Sequence, residues 1–200
     1  MTKFLLIRHA TTNAVGKLLS GRTTGVHLNE EGRLQAMELA ERLKGVSIQA
    51  VYSSPLERAL ETAAPVSRNL QFETMVSYEF QELDFGEWTN MGFEALKAEP
   101  KFREFNLFRS GARVPGGELM LEGQLRMVNG LEQLCTNHPK QTVAVFSHSD
   151  MIKAALSYYA GIHLDMFQRI EISPASISIV EIYPETARIL LINHTGNIIL

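Results

Sequence analysis

The chain has 200 residues, of which 45% are hydrophobic, and it carries a formal net charge of −3. The length and the apolar fraction favour one domain over residues 1–200, while the weakly negative charge, without a long basic run, argues against a nucleic-acid or membrane-surface binder. The single cysteine, Cys135, cannot form an intramolecular disulfide, and no apolar run resembles a signal peptide or a membrane span. We therefore expect a cytoplasmic protein.

A first strand is predicted where a short apolar run, residues 4–7, ends at Arg8 and His9. A buried strand that ends in a guanidinium and an imidazole needs partners for both groups, because neither is easily removed from water. The segment that follows, residues 10–28, is rich in Gly, Thr and Ser and includes Arg22, which is typical of a loop that lines a site. The end of this strand is interpreted as the floor of an anion site.

A second strand, residues 48–52, also ends in an element suited to anions. Ser54 as N-cap, Pro55 at the first helical position and Glu57 at the third form a capping box, which predicts that a helix begins there. Arg58 would then lie in the first turn of that helix. A helix N-terminus favours anions, and the guanidinium adds a bidentate donor at the same place.

Periodicity and the positions of Gly and Pro predict the remaining elements. They are a helix from the N-cap Asn29 to Gly45, an irregular acidic segment or short strand over 72–90, a helical stretch from Gly92 to Phe108 interrupted at Pro100, a helix over 118–137, a strand over 142–146, a helix over 151–159 that ends at Gly161, and a hairpin formed by 176–182 and 188–192.

This alternation of strands and helices predicts the fold class α/β, a single three-layer α/β/α domain with a mixed, mainly parallel sheet whose edge is completed by the hairpin. The strand over 142–146 is followed at once by His148. Ligands of such sheets bind beyond the carboxyl ends of the strands. Three separate strands are therefore expected to bring Arg8, His9, Arg58 and His148 to one rim.

These side chains suit a phosphoryl group. Arginine forks match its oxygens, and a neutral imidazole is a competent nucleophile near pH 7. If an imidazole attacks phosphorus, the departing alkoxide needs a proton, which a carboxylic acid can supply. The acidic residues at 79–87 are the natural source.

The chain resembles the histidine phosphatase superfamily, the phosphoglycerate mutase-like family, and within it the phosphatase branch. The Arg-His-Gly-x-Thr signature of the family appears as Arg8-His9-Ala10-Thr11-Thr12, with Ala in place of Gly. Three further motifs match in family order: Ser53-Ser54-Pro55-Leu56-Glu57-Arg58, Glu82-Leu83-Asp84-Phe85-Gly86-Glu87-Trp88, and Phe146-Ser147-His148. The matches span most of the chain.

The resemblance implies a phosphohistidine mechanism in which His9 is the nucleophile. Arg8, Arg58 and His148 would bind the phosphoryl oxygens and stabilise the charge of the transition state. Glu82 would protonate the leaving oxygen and then accept a proton from water. Neither a metal nor a cofactor is implied, since the arginines supply the positive charge.

The departures from the family pattern concern the substrate more than the chemistry. Ala10 adds a methyl group beside the nucleophile, which the backbone accepts only at negative φ. Many family members bind phosphate through an Asn six residues after the nucleophile, where this chain has Val15, with Asn13 two residues earlier. Asn13 and Arg22 are therefore candidate substrate contacts. Specificity is expected to lie in residues 10–28 and 90–118.

The leading hypothesis is a phosphomonoesterase that hydrolyses small phosphorylated metabolites. One alternative is a cofactor-dependent phosphoglycerate mutase, although the segment after the acidic motif is compact. Another is an inactive module that only binds phosphate, against which the pairing of Glu82 with both histidines argues. The natural substrate and the oligomeric state, for which a homodimer is one option, stay open at this level.

Overall fold

The computed structural model describes residues 1–196. Six strands form one mixed sheet in the order β3-β2-β4-β1-β5-β6, in which β1, β2, β3 and β4 are parallel and β5 pairs antiparallel with both β1 and β6. The strands are β1 (Thr2–Arg8), β2 (Ala50–Ser53), β3 (Thr74–Val76), β4 (Thr142–Ser147), β5 (Ile177–Ile182) and β6 (Ala187–His194). The predicted hairpin at the edge of a mainly parallel sheet is confirmed.

Helices cover both faces of this sheet, which confirms the predicted three layers. They are α1 (Glu30–Arg42), α2 (Glu57–Leu70), α3 (Phe93–Ala98), α4 (Pro100–Leu107), α5 (Met120–Asn137) and α6 (Ser149–Ala160), joined by short 3₁₀ helices at Tyr78–Phe80, Gly86–Trp88 and Leu164–Arg169. Within the part of the chain that the structure describes, no helix combines the length and the apolar character that a bilayer crossing requires.

Side chains of β1 alternate between the two layers of the core. Phe4 and Leu6 pack with residues of α3, α4, α5 and α6, whereas Leu5 and Ile7 pack with α1 and α2. All four side chains are fully buried. Because β1 is covered on both faces, its sequence is a continuous apolar run. This packing on both sides holds the carboxyl end of the strand rigidly.

Most helix limits agree with the sequence to within two residues. Asn29 caps α1 by accepting a hydrogen bond from the backbone N–H of Gly32, and Pro100 starts α4 directly after α3. The helix limit at residue 161 is confirmed as well, since Gly161 ends α6 in the left-handed conformation that glycine accepts most readily.

The capping box at Ser54 is wrong. Helix α2 begins at Glu57, its N-cap is Leu56, and a bent segment over residues 54–56 separates it from β2. The Ser54 hydroxyl instead accepts from the backbone N–H of Leu56 and forms a hydrogen bond of 2.8 Å with His148 Nε2. The Ser54 hydroxyl therefore contacts a residue far away in the sequence, although the local pattern predicted that it would cap the helix. Arg58 still lies in the first turn of α2.

Candidate active site

The carboxyl ends of three neighbouring strands, β2, β4 and β1, meet at one edge of the sheet. In the parallel pairing of β1 with β4, Arg8 lies opposite Ser147, and the next backbone N–H, that of His9, donates to the Ser147 carbonyl at 2.9 Å. This register aligns the two strand ends. It brings the rings of His9 and His148 to a centroid distance of 5.3 Å, as the sequence predicted for one rim.

His9 is held as a neutral imidazole with one defined tautomer. Its ring is 5% exposed, and Nδ1 lies 2.7 Å from the carbonyl oxygen of Ala10. Because a carbonyl can only accept, Nδ1 carries the proton and Nε2 keeps its lone pair. Burial, reinforced by the charges of Arg58 and Arg8, holds the pKa of His9 well below its usual value. The ring is thus ready to act as a nucleophile through Nε2.

His148 is fully buried beside His9. Its Nε2 bonds to Ser54, and its Nδ1 has no hydrogen-bond partner among the described residues. Burial, followed by the charge of Arg58, holds the pKa of His148 well below its usual value, so this ring is also neutral near pH 7. A neutral ring with a free nitrogen can bond to a ligand oxygen at little electrostatic cost.

Arg8 and Arg58 carry positive charge that no carboxylate within residues 1–196 neutralises by direct contact. Arg8 donates from Nη1 to the carbonyl of Ile172 at 2.6 Å, and Arg58 donates from Nη2 to the carbonyl of Gly21 at 2.7 Å. Arg58 is 2% exposed, and the Nε atom of Arg8 is buried without a partner. Burial lowers the pKa of each guanidinium but leaves it charged, which favours an anion between them.

Among the described ion pairs, only Glu82 places a carboxylate next to a histidine of this rim. Its Oε2 atom lies 3.9 Å from Nδ1 of His148, and its side chain is 13% exposed. Burial, together with the negative charge of Asp150, raises the pKa of Glu82 to about 7, against the opposing effects of the Leu83 backbone N–H and the two arginines. A substantial fraction of Glu82 is therefore protonated near neutral pH, as a general acid requires.

The backbone carbonyl of Glu82 is held by Arg22 and Arg126, which both pair with Glu118. We call these three side chains the clamp. Arg22 donates from Nε to the Glu82 carbonyl at 2.9 Å and from Nη2 to Glu118 at 2.7 Å. Arg126 donates from Nη2 to the same carbonyl at 3.3 Å and to Glu118 at 3.2 Å. The sequence predicted Arg22 as a substrate contact, but the structure aims its guanidinium at the protein backbone.

Gly86 explains why the motif around Glu82 needs glycine. Its φ of +42° lies in the left-handed region, and a Cβ atom there would collide with the backbone of Pro115, Gly116 and Gly117. The Glu82 segment can therefore pack directly on the 115–117 loop, which leads into Glu118 of the clamp.

A cavity of about 280 Å³ lies beside Arg8, His9, Arg58 and Glu82. We call Arg8, His9, Arg58 and His148 the floor, and Asn106, Arg109, Asp150 and Gln168 the outer wall. The cavity is lined by Glu82, by all members of the floor except the buried His148, by the whole outer wall, and by mostly apolar residues that include Val15, Leu18, Phe85, Phe93 and Phe102. The predicted specificity loops therefore both reach the cavity.

Asn13 does not line this cavity. It lies in a neighbouring surface groove, where its Oδ1 atom accepts a hydrogen bond of 3.4 Å from Asn29. Val15, at the position where many family members have Asn, does line the cavity and presents only an apolar side chain. A role of Asn13 in substrate binding stays a prediction.

The sequence reasoning missed the outer wall. Asp150 follows His148 by two residues, so its place beside the floor was visible in the motif itself. Arg109 lies in a turn after α4, and Gln168 belongs to a 3₁₀ helix, where no periodic pattern marks a functional side chain. The link from Arg126 to Glu82 was equally hidden, because it joins segments that are distant in the sequence.

Comparison with known proteins agrees with this geometry. Residues 4–195 match the family model of the histidine phosphatase superfamily (branch 1). The chain is 33% identical over 98% of its length to a bifunctional protein of Mycobacterium tuberculosis, of which it covers 54%, so it spans about half of that relative. It is 30% identical to phosphoserine phosphatase 1 of Hydrogenobacter thermophilus, with 98% of this chain and 93% of that protein covered.

A solved structure shows the same fold over the full length of both chains. It is a mutant phosphoserine phosphatase from Entamoeba histolytica in complex with phosphoserine, which is 26% identical and superposes with a TM-score of 0.88, covering 100% of each chain. The family model, the relatives and the order of the motifs agree. The chain belongs to the histidine phosphatase superfamily.

Proposed function

We propose that the protein is a metal-independent phosphomonoesterase that hydrolyses small phosphorylated metabolites through a phosphohistidine on His9. The observation that carries this proposal is the convergence of two neutral imidazoles, with ring centroids 5.3 Å apart, with a carboxyl group 3.9 Å from the second ring. A module that only binds phosphate has no need for a buried carboxyl group of raised pKa. The phosphatases among the relatives support the same reaction class.

In the first step, the Nε2 lone pair of His9 attacks phosphorus as the ester P–O bond breaks. Arg8, Arg58 and His148 bind the three peripheral oxygens, on which charge accumulates. Glu82 gives its proton to the departing oxygen, so the product leaves as an alcohol. Positive charge comes from the arginines, which is why we propose that no metal ion takes part.

In the second step, water attacks the phosphohistidine. The Glu82 carboxylate formed in the first step accepts a proton from this water, the P–N bond breaks, and inorganic phosphate is released. His9 and protonated Glu82 are restored. A pKa of about 7 lets Glu82 serve as acid and then as base near neutral pH.

The test is phosphate release from p-nitrophenyl phosphate and from alkyl phosphates, compared with isomerisation of 3-phosphoglycerate in the presence of 2,3-bisphosphoglycerate. We expect hydrolysis to dominate and to be unaffected by EDTA. Acid-labile phosphate on His9, trapped by rapid alkaline quenching and located by mass spectrometry, would support the intermediate. Isomerisation much faster than hydrolysis would identify a mutase. If no ester is turned over, the result would favour the inactive module that only binds phosphate.

We further propose a cytoplasmic enzyme, formed by one domain over residues 1–200, that acts without nucleic-acid or membrane partners. The weakly negative charge and the single cysteine support this environment. Sedimentation velocity at several concentrations tests whether the chain forms a homodimer.

A further inference from the structure

The outer wall of the cavity contains an ion pair of opposite charges. Arg109, which is 3% exposed, places Nη1 3.1 Å from Oδ2 of Asp150 and donates from Nη2 to Oδ1 of Asn106 at 2.5 Å. Asp150 lies in the first turn of α6. The pair therefore faces the cavity beside the floor that would bind the phosphoryl group.

The guanidinium of Arg109 is held in a fixed plane. Its central carbon lies 4.1 Å from the ring centroid of Phe105 and 4.8 Å from that of Phe167. Its Nε atom is buried without a hydrogen-bond partner among the described residues. A guanidinium fixed between rings loses little entropy on binding and still has N–H groups to offer.

Two further residues that line the cavity offer a donor and an acceptor. Gln168 accepts a hydrogen bond of 3.2 Å from Lys153 through Oε1, which leaves its amide N–H groups for another partner. The described contacts of Asp150 with Arg109 use only Oδ2, which leaves Oδ1 as an acceptor. The wall thus presents donors at Arg109 and Gln168 and an anionic acceptor at Asp150.

An ion pair on a cavity wall presents both charges to a ligand. Removing an ion pair from water carries a desolvation penalty that a neutral polar pair would not incur. Neutral amides and hydroxyls would suffice for a neutral polyol. Opposite charges only 3.1 Å apart match a ligand that carries both charges close together, as the ammonium and carboxylate on one α-carbon do.

We propose that the outer wall selects a phosphorylated amino acid, with Arg109 and Gln168 binding its carboxylate and Asp150 binding its ammonium group. The proposal rests on the phosphatase function proposed above and specifies the leaving group. The cavity of about 280 Å³ lies at the small end of ligand sites, which suits a leaving group of a few heavy atoms.

Four esters that share a phosphoryl-oxymethyl group separate the two charges. Phosphoserine carries both, 3-phosphoglycerate has a hydroxyl in place of the ammonium, phosphoethanolamine lacks the carboxylate, and glycerol 3-phosphate lacks both. Each charge-assisted contact is expected to contribute roughly tenfold or more in kcat/KM. Wild-type kcat/KM should therefore be highest for phosphoserine and lowest for glycerol 3-phosphate.

Asp150→Asn and Gln168→Ala test the two ends of the contact. Asp150→Asn should lower kcat/KM for phosphoserine and phosphoethanolamine by about tenfold relative to the two esters without ammonium. Gln168→Ala should act selectively on the two carboxylate esters. Ratios between esters are the readout, because Asp150 also raises the pKa of Glu82 and its loss alters turnover of every substrate.

Arg109→Gln should lower kcat/KM for the carboxylate esters. Arg103→Gln, which changes an exposed arginine on the preceding helix α4, is the matched control. If Arg109→Gln fails to fold, the Asp150 and Gln168 variants still decide. Equal loss for all four esters in those variants, or wild-type kcat/KM for glycerol 3-phosphate as high as for phosphoserine, would overturn the proposal.

Failure of the phosphatase function gives a different result. In that case p-nitrophenyl phosphate is not hydrolysed, and calorimetric binding of the four esters to the His9→Ala variant replaces kinetics. Phosphoserine binding at least about tenfold tighter than glycerol 3-phosphate would then support the outer wall on its own. Equal affinities would reject it.

Discussion

The floor and the outer wall of the cavity are built in different ways. Three floor residues, Arg8, His9 and His148, stand at the ends of parallel strands, where backbone hydrogen bonds such as the one from His9 to Ser147 fix the register. The fourth, Arg58, lies in the first turn of the helix that follows β2. Wall residues come from the last turn of α4 and the turn after it, from the first turn of α6 and from a 3₁₀ helix. The sheet thus fixes the groups for phosphoryl chemistry, while the connecting segments set what surrounds the leaving group.

This difference makes the two regions separable by experiment. Changes in the floor should lower turnover of every ester by a similar factor, because every substrate presents the same phosphoryl group. Changes in the wall should alter the ratio between esters. We expect the largest effect from changes in the floor.

His9→Ala should reduce kcat by roughly 10⁴-fold or more for all esters, because it removes the nucleophile and therefore the covalent intermediate. Steady-state phosphate release measures the effect, and intact-mass analysis should show no phosphoprotein. His27→Ala is a matched control, since His27 is bonded to Glu61 outside the cavity. A residual kcat within about tenfold of wild type would rule out His9 as the nucleophile.

Glu82→Gln should lower kcat/KM, which reports the phosphorylation step, by about 10²- to 10⁴-fold for alkyl phosphates, with a much smaller loss for p-nitrophenyl phosphate, whose leaving group needs no proton. Because the pKa of Glu82 is raised to about 7, wild-type kcat/KM for alkyl esters should fall as pH rises through that value. Similar losses of kcat/KM for both kinds of leaving group would contradict the role of Glu82 as a general acid.

The same variant has a predicted effect on stability. The pKa of Glu82 is raised from 4.5 to about 7 in the folded protein, so between these values rising pH ionises the unfolded state first and lowers stability. Gln cannot ionise and avoids this loss. Glu82→Gln should therefore raise the free energy of unfolding at pH 8 by up to about 3 kcal/mol, measured by urea denaturation, and by much less at pH 4.

The sequence predicted the floor because each of its residues follows a recognisable strand or helix start. It predicted neither the clamp nor Arg109, because these side chains act through contacts between segments far apart in the chain. Ser54 shows the limit most clearly. Its local pattern indicated a cap, but the hydroxyl bonds to His148, and only the tertiary fold decides between two partners for one group.

Glu118→Gln and Arg126→Met test the clamp, which holds the backbone carbonyl of Glu82. Loss of these contacts should let the Glu82 backbone shift and lower kcat/KM for alkyl phosphates by roughly tenfold, while kcat/KM for p-nitrophenyl phosphate changes by less than about threefold. Arg113→Met is the matched control, because Arg113 forms an exposed pair with Glu122. A larger effect on KM than on kcat would assign the clamp to substrate binding instead.

Ala10→Gly should have the smallest effect on activity, although it alters the signature beside the nucleophile. Ala10 does not adopt a positive φ, and its methyl group is buried against Leu28, Ala36 and Ala175. Glycine would remove this contact and add freedom to the unfolded chain, so we expect a loss of about 1 kcal/mol in the free energy of unfolding. The carbonyl that orients His9 belongs to the backbone and is unchanged, so kcat should stay within about threefold. An increase of about tenfold or more would mean that the methyl group obstructs the phosphoryl site.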